Sequence, residues 1–440
     1  MGPRFRGDDE EKSRALMTSP QSGAPAKGMV PLVVTLFFAW GFATVLVDAL
    51  IPKLKALFAL DYAEAMLTQF CFFIAYLVVS LPAGALIARI GYLRGIVTGL
   101  VLMALGCSLF SPAASLGVYP GFLLALFVMA AGITTLQVAA NPLIAILGSA
   151  ARSHTRLNFA QAFNSLGTII GIWIGAHFIL GGGIVTPDPG ASSAVLAALR
   201  RTEARSIEGT FLAIASGLVL LALIFFLLRR RSVGAVTEAA PGAKDLALFA
   251  RPRLFFGALS IFTYVGAEVS IGSLMINYLM LEKTLALDAA SAGKQLIYYW
   301  GGAMVGRFIG SAVLFFTRIE AGTVLTACAL GAACLASLSA MSMGMLAAVS
   351  VLAIGLCNSI MFPTIFTLAI EHLGADTPRG SGLLCLAIVG GAVIPLLTGL
   401  AADRIGLSLA LFVPVLCYLW IATYGMLARF GIVDRKALAT

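Results

Sequence analysis

Twelve runs of about twenty apolar residues, joined by short polar connections, leave this chain one environment in which to fold. They occupy residues 30–51, 65–88, 94–112, 117–148, 157–180, 210–228, 254–281, 294–317, 321–340, 344–370, 380–402 and 407–428. A bilayer core has no water to satisfy backbone N–H and C=O groups, so a crossing must be a helix or a strand of a closed barrel, and runs of this length are helices. With 60% hydrophobic and 11% charged residues, the 440-residue chain has no stretch left over for a soluble domain. The expected fold is an all-α membrane protein of twelve transmembrane helices.

The net charge of +9 does not mark a nucleic-acid binder, because the cations sit in short loops between spans and not on one folded face. With the loops assigned alternately, twenty of the 29 Lys and Arg fall on the side holding both termini and eight on the other, Arg307 lying inside a span. The positive-inside rule makes the first side cytoplasmic, in the inner membrane of a bacterium. Residues 1–28 mix acids with bases and read as a disordered cytoplasmic tail, not a cleavable signal, and 429–440 form a second tail. The basic, Gly/Ala/Pro-rich segment 229–253 reads as a linker between a six-helix half over 29–228 and another over 254–428. All seven cysteines fall in apolar spans without metal-site spacing and read as small buried hydrophobes, so no metal site is expected.

Span 4 is interrupted by QVAANP, Gln137 to Pro142, and span 10 by NSIMFP, Asn358 to Pro363. Each puts a side-chain amide five residues before a proline, in segments where polar groups and a missing N–H both carry a cost. Matching interruptions in two halves point to a binding site at their interface. Gln137, Asn141, Gln161, Asn164, Asn277 and Asn358 offer paired donors and acceptors, and Trp40, Trp300, Phe163 and Phe362 offer flat apolar faces. A sugar needs that combination, since its hydroxyls donate and accept while its ring faces stack. The alternative for each amide is a bond between helices, and for each aromatic a place in the core or against lipid.

Ionisable groups inside spans are costly in lipid, which singles out Asp48, Glu268 and Arg307. Asp48 and Glu268 suit the loading and unloading of a cation, and a structural pair between Glu268 and Arg307 is the competing reading. His177 reads as a helix-end packing residue. Gly167, Gly171 and Gly175 in span 5 and Gly302, Gly306 and Gly310 in span 8 repeat at the interval that brings helix backbones together. Ordinary tight packing is one reading. The sharper one has these two helices face each other across the two halves at a contact that slides, Gly171 and Gly306 allowing the close approach.

Six spans, a basic linker and six spans resemble the major facilitator superfamily. GALIARIGYLR resembles its loop motif, carried here by Gly84, Arg89, Gly91 and Arg94 with Ala88 where an acid is usual, and GLAADRIG, with Asp403 and Arg404, resembles a second copy. Within the superfamily, WGFATVLVD, QVAANP, RLNFAQAFNSLG, YVGAEVSIGS, GRFIGS, CNSIMFPTIF and IVGGAVIPL together resemble the fucose–galactose–glucose permease family, most closely its glucose/galactose branch. The resemblance implies that Asp48 is the acid of span 1 tied to proton coupling and sugar binding. It also implies that Gln137 stands where the fucose branch has a glutamate, and that Asn141, Gln161 and Asn164 line the cavity.

Residues and resemblance together predict a monomeric secondary transporter that imports a hexose of the glucose, galactose or mannose type with a coupling cation, H+ by preference, through alternating access. N-acetylglucosamine or another sugar, and Na+ in place of H+, are the alternatives. No cofactor beyond the coupling ion is implied. The chain has no GxxxxGK[ST] loop for a primary pump, and no nucleophile with acid and base partners for an enzyme. A sugar-sensing receptor would want a signalling domain, which the short tails do not supply.

Overall fold

The computed structural model describes residues 29–58, 62–116, 118–149, 152–174, 193–228, 248 and 250–431, the side chains of 47–57, 62–67, 69, 114, 193–207, 289 and 290 excepted. The N-terminal tail, residues 432–440 of the second tail, most of the linker, Gly175, His177 and the connection between spans 5 and 6 lie outside them. Among the described residues the first half consists of α1 (Met29–Phe58), α2 (Tyr62–Ile90), α3 (Tyr92–Leu116), α4 (Tyr119–Ile146), α5 (Ser153–Ile174) and α6 (Ser193–Leu228). The second consists of α7 (Pro252–Met280), α8 (Ala289–Phe316), α9 (Ala321–Met341), α10 (Gly344–Asn358), α11 (Met361–Ile370), α12 (Thr377–Leu386), α13 (Gly390–Ile405), α14 (Leu407–Ala410) and α15 (Phe412–Arg429). The twelve crossings are α1 to α9 singly, then α10 with α11, α12 with α13, and α14 with α15.

Three of the predicted spans differ from the structure. α6 starts at Ser193, well before the apolar run at 210, because its first four turns carry polar residues of the loop. Span 10 breaks at Ser359 and Ile360, and span 11 tightens into a 3-10 turn over Ala387–Val389. Pro363 explains the first break. It lacks the N–H that would have bonded the Ser359 carbonyl four residues back, so that oxygen is free to accept from elsewhere.

Glycines end helices where the chain must turn with positive φ. Gly91 (φ 85°) closes α2 by donating its N–H to Ile87 O at 2.8 Å, and Gly406 (φ 86°) closes α13 by donating to Ala402 O at 2.9 Å. Arg89 and Arg94 are exposed beside the first of these turns, and Asp403 and Arg404 beside the second. Because α12 starts against Gly84 and α13 runs on from it, the two copies of the loop motif lie at opposite ends of the bundle.

The halves close on each other at the end that carries the basic loops. Gly84 of α2 sits so near α12 that an added Cβ would stand 3.1 Å from Pro378 O and 3.3 Å from the Gly382 Cα, and a Cβ at Gly382 would stand 2.7 Å from Ser80 O. Ser381 Oγ donates to Val138 O at 3.0 Å, the carbonyl that Pro142 leaves without its helical donor. On the other flank Ser311 Oγ donates to Thr155 O at 3.2 Å, Asn158 Nδ2 to Thr364 Oγ1 at 3.3 Å, and His154 Nε2 lies 3.2 Å from Glu371 Oε1. Glu371 also pairs with Arg253. Burial raises the Glu371 carboxyl, but the His154 hydrogen bond and the Arg253 charge outweigh it and hold it below its usual range.

The helices of spans 5 and 8 do meet across the halves, as the Ser311 to Thr155 bond shows, but their glycine stripes do not make that contact. A Cβ at Gly171 would stand 2.4 Å from Val45 Cγ1 and 3.0 Å from Phe42 O, both on α1, and one at Gly306 would stand 2.7 Å from Leu356 O on α10. Both stripes therefore weld helices within one half. The glycines that come close between the halves are Gly84 and Gly382. Gly382→Leu is expected to abolish transport while helicity and monodisperse elution persist, because its side chain meets the Ser80 carbonyl only when this end is shut. Wild-type uptake by that variant would overturn this assignment. Gly171→Leu is expected to lower the yield of folded protein instead.

Candidate functional site

Between the halves, beyond the closed end, lies a central cavity of about 190 Å³. The first half contributes Trp40, Gly41 and Thr44 from α1, Phe72 and Tyr76 from α2, Gln137 from α4, and Gln161, Asn164 and Thr168 from α5. The second contributes Tyr264, Val265 and Glu268 from α7, Arg307 from α8, Phe362 from α11 and Ile388 from the turn in span 11.

The amides are held in place by neighbours. Gln137 Nε2 donates to the Tyr76 hydroxyl at 2.7 Å, which leaves its carbonyl oxygen as an acceptor. Asn164 Nδ2 donates to Phe37 O at 3.0 Å, across the contact where Gly41 lets α5 approach α1. Trp40 is buried and lies against Phe37, ring centroids 4.2 Å apart, while Phe362 packs 6.5 Å from Tyr264.

The second half supplies the charges. The Tyr264 hydroxyl donates to Glu268 Oε1 at 2.8 Å, with the Asn358 carbonyl oxygen 3.1 Å away. Arg307 does not form an ion pair with Glu268. Its Nε donates to Ser359 O at 3.1 Å, the carbonyl freed by Pro363, and its Nη1 reaches Ser165 Oγ and Gln161 O, the latter at 3.5 Å. The guanidinium thus joins the helix break of span 10 to α5 of the other half. Its planar fork makes this possible, since a lysine presents its donors from one point.

Other predicted residues are placed elsewhere. Asn277 is exposed near the end of α7 and does not line the cavity, because the helix has turned that position outward. Asn358 is fully buried behind the cavity and donates to the Tyr299 hydroxyl at 2.9 Å. Asn141 is fully buried without a hydrogen-bond partner in this conformation and also stands outside the lining. Phe163 packs with Phe159 and Phe308 between the halves, and Trp300 lies against Tyr299. Asp48 belongs to α1, and its side chain is outside the described set. Sequence reasoning missed Tyr76, Tyr264 and Thr168. A tyrosine four residues before an in-span glutamate was the available signal for Tyr264; Tyr76 had none, since its partner is 61 residues away.

Two helical halves around a polar cavity that is shut at one end have the architecture of a membrane transporter. The family model described as Major Facilitator Superfamily matches residues 32–384. The "Glucose/galactose transporter" of Brucella abortus biovar 1 (strain 9-941) is 48% identical over 392 residues, covering 89% of this chain and 92% of its own. The "L-fucose-proton symporter" of Escherichia coli (strain K12) is 34% identical over 416 residues, covering 91% and 92%. The crystal structure of the major facilitator transporter FucP in the outward conformation superposes with a TM-score of 0.83 at 32% identity, covering 91% of this chain and 98% of that one. The chain belongs to the major facilitator superfamily and, within it, to the fucose–galactose–glucose permease family.

Proposed function

We propose that this protein takes up a hexose of the glucose/galactose type together with a proton, the basic-loop end of the bundle facing the cytoplasm. The observation that carries the reading is the cavity lining. Gln137, Gln161 and Asn164 are neutral amides, Trp40, Phe72 and Phe362 supply ring faces, and Glu268 is the one described carboxylate. Hydroxyls that both donate and accept are matched by amides, and the apolar faces of a pyranose by aromatic rings. The similarity to a glucose/galactose transporter over nine-tenths of the chain supports the same class. Proton coupling is supported by the similarity to a fucose-proton symporter and by Asp48, eight residues after Trp40 and four after Thr44, a spacing that continues one helix face. The test is uptake of labelled glucose and galactose into proteoliposomes, competed with a panel of sugars and driven in turn by pH and sodium gradients. Uptake insensitive to every hexose, or driven by sodium alone, would overturn it.

Gln137→Glu tests substrate choice. A protonated carboxyl can still donate where the amide did, but an ionised one only accepts, and it adds a second negative charge beside Glu268. Hexose uptake by this variant is expected to fall and to fall further as pH rises, the protonated form being the working one. Unchanged affinity at every pH would make Gln137 a packing amide.

Orientation is tested with cysteines on exposed loops. With native cysteines replaced, Lys283→Cys is expected to react with an impermeant maleimide from outside the cell, and Arg318→Cys only after permeabilisation. The reverse pattern would invert the topology.

A further inference from the structure

Where α5 of one half meets α8 of the other, the basic-loop end holds a second cavity of about 580 Å³, separate from the central one. Its rim is cationic, with Arg152 and Arg156 at the start of α5, and its wall is aromatic, with Phe159 on α5 and Phe308, Phe315 and Phe316 on α8. No acidic side chain stands among the described lining residues. Arg156 is already engaged: it donates to Ile144 O at 3.1 Å, to Ser149 O at 2.8 Å and to Ala145 O, closing the end of α4. Arg152 is not. Its guanidinium lies 4.8 Å over the Phe315 ring, and no described carboxylate is within ion-pair distance.

The wall beside that charge is open. Phe316 is 81% exposed and Phe315 47%. A free anion would match the rim alone, and an acyl chain the wall alone. The geometry points to an anionic phospholipid of the leaflet on this side, its phosphate on Arg152 at the N-terminal turn of α5, where the helix dipole also favours negative charge, and an acyl chain along Phe308, Phe315 and Phe316. Because Arg152 and the phenylalanines of α8 belong to different halves, a seated lipid touches both only while this end is shut. It therefore favours the closed conformation through its differential affinity for the two states.

The test measures retention of palmitoyl-oleoyl phosphatidylglycerol, and of phosphatidylcholine with the same chains, by native mass spectrometry of the full chain in detergent. Arg152→Gln is expected to lower phosphatidylglycerol retention about fivefold and to leave phosphatidylcholine unchanged, the effect of one basic residue at a membrane surface. Phe316→Ser is expected to lower it too, whereas Arg318→Gln, on the same side but outside the lining, is expected to leave it unaltered. Equal retention by wild type and Arg152→Gln would overturn the site. Displacement of the lipid by inorganic phosphate, with Phe316→Ser neutral, would make it a small-anion site and overturn the lipid. Should Arg152→Gln not fold, Arg152→Ser is read in its place. In vesicles, a cysteine at Ser381 is expected to be shielded more in phosphatidylglycerol than in phosphatidylcholine; equal shielding would overturn the conformational preference.

Discussion

Asp48→Asn is expected to abolish accumulation of hexose against a gradient while sugar exchange across an equilibrated membrane continues. The substitution imitates the protonated carboxyl permanently, so binding and release of the ion no longer distinguish one side of the membrane from the other. Only a differential affinity between two states transmits a gradient. One charge moving through about 100 mV supplies about 2.3 kcal/mol, which corresponds to roughly a fiftyfold sugar ratio. In the variant that ratio is expected to collapse to one. Paired counterflow and gradient-driven uptake in proteoliposomes measure both quantities, with pH set independently on each side. Retained accumulation would move the coupling to Glu268, whose carboxylate lines the central cavity on the tyrosine of α7.

Arg307→Ala is expected to unlatch the closed end. The guanidinium holds the Ser359 carbonyl of one half and Ser165 of the other, and hydrogen bonds to a charged group contribute about 1.5–3 kcal/mol each. Loss of the bonds across the halves is expected to shift the conformational equilibrium by about 100-fold, the equivalent of roughly 2.7 kcal/mol. Maleimide labelling of a cysteine at Ser381, which is fully buried in the closed conformation, is expected to rise, and uptake to fall. Arg307→Lys is expected to behave almost as poorly, because a point cation cannot span both partners. Full protection of the cysteine in both variants would assign the latch to the neighbouring contacts of Ser311, Asn158 and His154.

Both latch contacts begin in features visible in the sequence. QVAANP and NSIMFP were legible as polar interruptions, and each proline frees one carbonyl, Val138 O and Ser359 O. What takes up those oxygens was not legible, since Ser381 and Arg307 come from distant segments. The amides show the same division. Gln137, Gln161 and Asn164 line the cavity together, while Asn277, equally polar and equally placed in a span, is turned outward.

The membrane, the twelve crossings, the two halves and the residues too polar to face lipid were all legible along the chain. These depend on the length of an apolar run against the thickness of a bilayer and on the cost of an unpaired polar group there, both of which are local. Helix packing in three dimensions is what sets Gly171 and Gly306 inside their own halves, brings Gly84 and Gly382 together between them, and has Arg307 clamp two carbonyls and a hydroxyl in place of an acid. Those outcomes depend on how each helix is rotated about its axis and against which neighbour it lies. Small and polar residues occur on several faces of such helices, so their spacing along the chain does not choose among them.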